Sequence, residues 1–274
     1  MKQYNIRRMK RILDLEEEIV GVKFIRYKKE YDELNYIDEL GKKVTYCNMI
    51  RRAMDGALFK VNKTHFFCNY GAYALGIKKP DISVASGQSY SECQLYETVS
   101  VSRKAVESMR YLNHDIYGVL IGPLKDIKEA DVVIIIGNTY QTMRIMQGYA
   151  YKNGMPQNIR SFGNQAMCSD ITSKPFYEND INVSFLCAGA RMYGRYTESQ
   201  LGIGMPIGLF DTVVEGVVMT FNPVARPREK KALEERLEGS AMEELGIEID
   251  MNADYGCFIS KYDEYVKKVK MNNE

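Results

Sequence analysis

Residues 130–154 read ADVVIIIGNTYQTMRIMQGYAYKNG, and this stretch decides the fold class. Val132 to Ile136 is a run of five apolar residues with no polar alternation, which suits a strand covered on both faces. Gly137 and Asn138 close the run, and from Thr139 the apolar spacing becomes helical and ends at Gly154, a natural helix C-cap. A buried strand running directly into a helix predicts an α/β or α+β domain, with a mixed sheet flanked by helices.

Working outward, NIRRMKRILDLEEE near the start predicts an amphipathic helix, and EIVGVKFIRY, β-branched and aromatic, predicts a strand. YCNMIRRAMDGALFKV has a helical pattern, as does VSRKAVESMRYL, while IYGVLIGPL and NVSFLC suit strands. GIGMPIGLF, with three glycines and Pro206, predicts a loop, and DTVVEGVVMTF fits helix or strand equally. Past Asn222-Pro223, REKKALEERLEGSAMEEL predicts a charged helix. We therefore expect one α/β domain over 1–222 and a helical C-terminal extension over 223–274. YCNMIRRAMDG and YQTMRIMQG echo one another, each with a cysteine downstream, so the domain could hold two similar strand–helix–Cys lobes meeting near 120–130.

Composition excludes several function classes. With 37 basic and 36 acidic residues the net charge is +1, which gives no overall pull toward nucleic acid or an anionic membrane. No apolar run approaches the roughly 18 residues of a membrane span, and the first residues lack a secretory pattern, so the expected location is the cytoplasm. There the six cysteines are expected as thiols, metal ligands or nucleophiles and not as disulfides. A Walker phosphate loop is absent, and the Gly202, Gly204 and Gly208 spacing does not make a dinucleotide fingerprint. Gly137 and Asn138 stand at a strand's carboxyl end, where α/β sheets tend to bind ligands. His65 and His114 are the two histidines, too few for a multi-histidine metal centre.

Cysteine is then the chemistry-bearing residue. Cys47, Cys68, Cys168 and Cys187 each lie where apolar residues give way to small or polar ones, at the ends of elements, where backbone N–H groups favour thiolate. Arg51, Arg52 and Arg191 are candidates to support that charge, and His65 could ligate or donate to sulfur. Cys93 and Cys257 have no such setting. Four thiolates complete the ligand set of an iron–sulfur cubane or a structural zinc, yet no C-x-x-C pair is present, so spacing alone leaves independent buried thiols as the simpler reading.

The segments VGVKFI, YCNM, HFFCNYGAYALG, DVVIIIGNTYQTMRIMQGYAY, MCSD and NVSFLCAGAR, in this order, resemble the family called domain of unknown function 169, over about Ile19 to Val217. Cys47, Cys68, Cys168, Cys187, Gly71, Leu75, Gly76, Asn138 and Arg191 fall on the motif positions, and HFFC departs from the pattern by one residue between His65 and Cys68. The resemblance implies that these four cysteines share one site. On that basis we expect a cytoplasmic redox protein, suited to an anaerobe, in which they hold a [4Fe–4S] cluster, with zinc or no metal as the alternatives. Arg51, His65, Gly71, Asn138, Gly189 and Arg191 would surround the cluster. It would act in electron transfer or in reduction of a small molecule, with a redox partner protein and a possible homo-oligomer. Two other classes remain open: a non-catalytic small-molecule or cofactor-binding protein, and a thiol enzyme with one nucleophilic cysteine.

Overall fold

The computed structural model describes residues 2–113, 115–237, 239–253 and 271. His114, Cys257 and most of the expected extension beyond residue 253 lie outside them. The chain forms two compact units, one built from Glu16–Met143 and Met155–Asp211, the other from Met1–Leu15, Arg144–Gly154 and Thr212–Glu274.

The larger unit contains a six-stranded sheet: β1 (Val20–Ile25), β2 (Phe59–Asn62), β3 (Gly118–Pro123), β4 (Val132–Asn138), β5 (Asn182–Ser184) and β6 (Gln200–Pro206), in spatial order β2-β3-β1-β4-β6-β5. Among the described residues every ladder is antiparallel, so the sheet is not the mixed one expected from the sequence, and parallel pairing is confined to isolated bridges, Glu39 to Lys60 and Val44 to Phe66. The fold is thus an α/β arrangement of sheet and flanking helices with a helical C-terminal part. The apolar run Val132 to Ile136 lies in β4, flanked by β1 and β6. Val132, Ile134 and Ile136 join a core containing Met49, Ile50 and Met167, while Val133 and Ile135, which point to the other face, are buried too.

Two further sequence expectations differ from the structure. GIGMPIG is not a loop, because its first residues belong to β6, paired along β4 from Val132–Pro206 to Asn138–Gln200. Its glycines serve packing. A methyl on Gly204 would lie 2.0 Å from the carbonyl oxygen of Ile171, and one on Gly202 would lie 2.6 Å from the Ile171 Cδ1. The segment crossing there, Ala166–Ser173, is a wide π-type helix whose eight residues are all buried. Glycine in this strand lets that backbone rest directly on the sheet. The helical pattern from Tyr46 likewise stops at Met54, and Phe59–Asn62 turns into β2, with an intervening residue, Gly56, at φ +98°.

Short helices carry the site. Tyr46–Met54, here α1, is capped by the Thr45 side chain, which accepts from the Asn48 N–H at 3.2 Å. α2 spans Asn69–Ala74 and α3 spans Ala188–Gly194.

In the smaller unit, Lys2–Leu13 is helical with Met9, Ile12 and Leu13 buried, and Arg144 is buried against the Val217 carbonyl and the Thr220 hydroxyl. The charged stretch forms two helices, Pro227–Arg236 and Gly239–Glu244, and DTVVEGVVMTF lies mostly in the helix Ile207–Met219. Among the described residues no helix is long and apolar enough to cross a membrane.

Candidate functional site

Cys47 is the second residue of α1, Cys68 caps α2, Cys187 caps α3, and Cys168 lies in the π-type helix. Three of the four therefore sit at a helix start, where backbone N–H groups lack helical partners; the Cys187 sulfur accepts one of them, from Ala190, whereas the Cys68 side chain makes no capping bond. All four line one cavity of about 230 Å³, whose walls also include Tyr70, Tyr90, Leu95, Met167 and Tyr193. Cys93 is exposed and is not part of that lining. Among the described residues no group of three or more His, Cys, Asp or Glu side chains is drawn together closely enough to hold a single metal ion.

The sulfurs differ in charge state. Cys187 receives the thiol hydrogen of Cys47 and the backbone N–H groups of Ala166, Ala190 and Gly189, the Ala190 bond measuring 3.4 Å. This cage outweighs burial and pulls the Cys187 thiol down to about 6. Cys47, the donor, is pushed well up, first by that hydrogen bond and then by burial. Cys168 is pushed well up by burial, and the charges of Cys68 and Cys187 add to the shift. Cys47 too is raised by the charges of Cys187, Cys168 and Cys68.

The backbone around the cavity is held in unusual conformations. Leu186, just before Cys187, has φ +64°, and Gln165, which opens the π-type helix, has φ +49°. Left-handed conformations in non-glycine residues cost about 1–3 kcal/mol each and persist where surrounding structure imposes them. At Leu186 the bracing comes from Asp170. Its Oδ2 accepts from the Ser184 hydroxyl at 2.8 Å and the Ser161 hydroxyl at 3.2 Å. Those hydroxyl oxygens in turn accept from the N–H groups of Leu186 and Phe185, both at 3.2 Å. Burial pushes the Asp170 carboxyl up to about 7. In the sequence this residue is the last of MCSD, and its one signal there is an acid two residues after a candidate ligand.

The polar wall is a glutamine between two phenols. Gln165 Nε2 donates to the Tyr90 and Tyr111 hydroxyls, each at 2.6 Å, and its Oε1 is buried with no partner. Exchanging the amide oxygen and nitrogen would let both phenols donate to the oxygen and leave the NH2 unpaired. In either orientation one polar atom of this amide is left over beside the cavity.

The remaining expected residues fall elsewhere or act differently. Arg191 does not face the sulfurs; its guanidinium donates to the Phe185 carbonyl at 2.8 Å and to the Thr197 carbonyl, fastening the turn that carries Cys187. Arg51 donates to the Gly194 carbonyl at 3.2 Å, pairs with Glu17 and lies over the Tyr196 ring. His65 is outside the cavity lining, with Nδ1 accepting from the Asn62 N–H and Nε2 3.5 Å from Glu39. Asn138 exchanges hydrogen bonds with Gln141 at the end of β4 and is also outside the lining. A methyl on Gly71 would come 3.1 Å from the Tyr46 Cβ, so this glycine lets α2 approach α1, while Gly189 lines the cavity.

Comparison with known proteins gives a family and no activity. The chain is 23% identical over 216 residues to "Uncharacterized protein MJ0308" of Methanocaldococcus jannaschii, a match covering 78% of this chain and 92% of that protein. No solved structure matches the chain. The model of the family described as "Uncharacterised ArCR" matches residues 8–216, a span that contains all four cavity cysteines, and the chain therefore belongs to the domain of unknown function 169 family.

Proposed function

We propose that Cys47, Cys68, Cys168 and Cys187 hold one [4Fe–4S] cluster and that the protein serves in electron transfer or in the reduction of a small molecule. The observation that carries this reading is the gathering of four cysteines, from four separated segments, onto one cavity. At about 230 Å³ that cavity is smaller than the roughly 300–1,000 Å³ usual for organic ligands, so a compact inorganic group suits it better than a bulky cofactor. The donor set is all sulfur, which matches the ligation of such clusters.

A bound cluster would supply one-electron chemistry, and the residues around it would set its terms. The N–H groups of Ala166, Gly189 and Ala190 around Cys187 would stabilise negative charge on sulfur and raise the potential. Tyr70, Tyr90 and Met167 would keep water away. The amide of Gln165, in the orientation that leaves its NH2 free, would donate one more hydrogen bond to sulfur. Zinc, the alternative that four cysteines suggest, lacks this support, since among the described residues no group of side chains is drawn together around a single ion.

A cysteine series tests the proposal. Protein purified without oxygen should absorb broadly at about 400 nm. Cys187→Ala or Cys68→Ala should abolish or convert that band, and Cys93→Ala should leave it unchanged. Equal effects of all three substitutions would overturn the ligand assignment. A colourless protein in which one cysteine alkylates rapidly would instead support a thiol enzyme centred on Cys187, the sulfur that receives the thiol of Cys47 and three backbone N–H groups.

A further inference from the structure

A second and larger cavity, about 970 Å³, lies between α1 and the end of α3 in the same unit and shares Thr45 and Tyr193 with the cysteine cavity. Its charge is one-sided. Lys42, Lys43, Arg51, Arg52 and Arg195 line it against a single carboxylate, Asp55, which lies 3.8 Å from Arg51. In a chain whose net charge is +1, this is a marked local concentration of cations. Among the described residues Lys42, Lys43, Arg52 and Arg195 have no carboxylate partner.

The groove is also built to hold its shape. Asn48 donates to the Tyr193 carbonyl at 3.1 Å and accepts from Arg52 Nε at 2.9 Å, which ties α1 to α3 and orients the Arg52 guanidinium. With Nε engaged, the two terminal nitrogens of Arg52 remain for a forked hydrogen bond to an anion. Arg51 is fixed by Gly194, Glu17 and the Tyr196 ring. Exposed Phe67 and Tyr193, with ring centroids 6.2 Å apart, give the rim an apolar edge. A concave site of this size, with cations inside and rings at the rim, fits a small molecule better than a flat protein surface.

We infer that this groove binds a phosphate- or carboxylate-bearing small molecule and presents it to the cysteine cavity across the Thr45 and Tyr193 wall. Its place beside a redox centre rests on the cluster reading, whereas anion binding itself does not. The cations would hold the charged end, and the shared wall would set the other end toward the cysteine cavity. Such a ligand would be the substrate class of the small-molecule branch of the proposed function.

Calorimetric titration of the full chain, purified without oxygen, with inorganic pyrophosphate and separately with citrate tests this, with iron measured on the same sample. Saturable binding of either ligand is expected, weakening as sodium chloride is raised, because exposed charges are screened. The ligand that binds more tightly identifies phosphate or carboxylate as the preferred group. Arg52→Gln should weaken binding about tenfold or more, since a hydrogen bond to a charged group is lost. Lys42→Gln/Lys43→Gln changes two exposed side chains with little risk to folding and should also weaken it. Lys28→Gln, at an exposed ion pair outside the groove, should not. No saturable binding of either anion, or unchanged binding in both groove variants, would overturn the inference. Iron without anion binding would sink the groove alone, and anion binding without iron would sink the cluster reading alone.

Discussion

Removing the Cys47 sulfur should make Cys187 a weaker acid by a calculable amount. In metal-free protein the Cys187 thiol lies at about 6, and the first cause is the hydrogen bond from Cys47. A hydrogen bond to a charged acceptor contributes about 1.5–3 kcal/mol, and a thiol is a weak donor, so the lower end applies. One pH unit corresponds to about 1.4 kcal/mol. Cys47→Ala should therefore move the midpoint of Cys187 reactivity from about 6 to about 7, and not to the ordinary thiol value, because the N–H groups of Ala166, Ala190 and Gly189 remain. Cys47→Ser keeps a donor at this position and should return the midpoint close to that of the parent. The assay is the rate of iodoacetamide labelling of Cys187 against pH, read by mass spectrometry of the peptide. A parent midpoint above about 8, or no change in Cys47→Ala, would refute the assignment of Cys47 as donor and Cys187 as thiolate.

Other expectations concern the frame of the site. Gly204→Ala should destabilise by about 3 kcal/mol, the upper part of the overpacking range, because the new methyl meets the backbone oxygen of Ile171 at 2.0 Å; Gly208→Ala, which meets nothing within 4 Å, should stay within about 0.5 kcal/mol in denaturant unfolding. Asp170 has a folded-state pKa raised to about 7 from the usual carboxylate range, so its contribution to stability is fully present below about pH 4 and is lost as pH rises through about 7. Thermal melts of metal-free protein across that window should fall with pH relative to Asp170→Asn, and parallel curves would contradict the burial argument. His65→Gln should leave cavity metal unchanged, since His65 bonds to Asn62 and faces Glu39 outside the cavity; loss of metal would restore it as a ligand.

What the sequence reveals of this fold depends on how much each residue's local pattern decides. β4 is legible because five apolar residues admit one simple reading, and the helix after it because Gly154 closes it at φ +71°. β6 is not legible, because Gly202 and Gly204 look like loop residues until the π-type helix is known to lie across them. Nothing in the spacing of Ala166–Ser173 announces a wide helix, and its burial is imposed by the sheet beneath. Nor does local pattern tell that Met1–Leu15, Arg144–Gly154 and Thr212 onward pack as one unit.

The site follows the same division. The positions of Cys47, Cys68 and Cys187 at helix starts can be read from their neighbours, whereas Cys168, expected at an element end, lies within the π-type helix, and the meeting of all four at one cavity depends on crossings between distant segments. Arg191 shows the limit of reading charge from sequence. An arginine four residues past Cys187 invites pairing with the thiolate, yet two nearby carbonyls take its guanidinium, and the charge on sulfur is met by backbone N–H groups instead. Asp170 acts through serines contributed by two other segments, Ser161 and Ser184, which no local motif connects.

The central claim is that the four cavity cysteines hold one cluster, and iron with acid-labile sulfide, counted per chain in protein purified without oxygen, tests it most directly. The account predicts about four of each. Protein that is free of iron and sulfide after such handling, whether empty or carrying zinc alone, would contradict it.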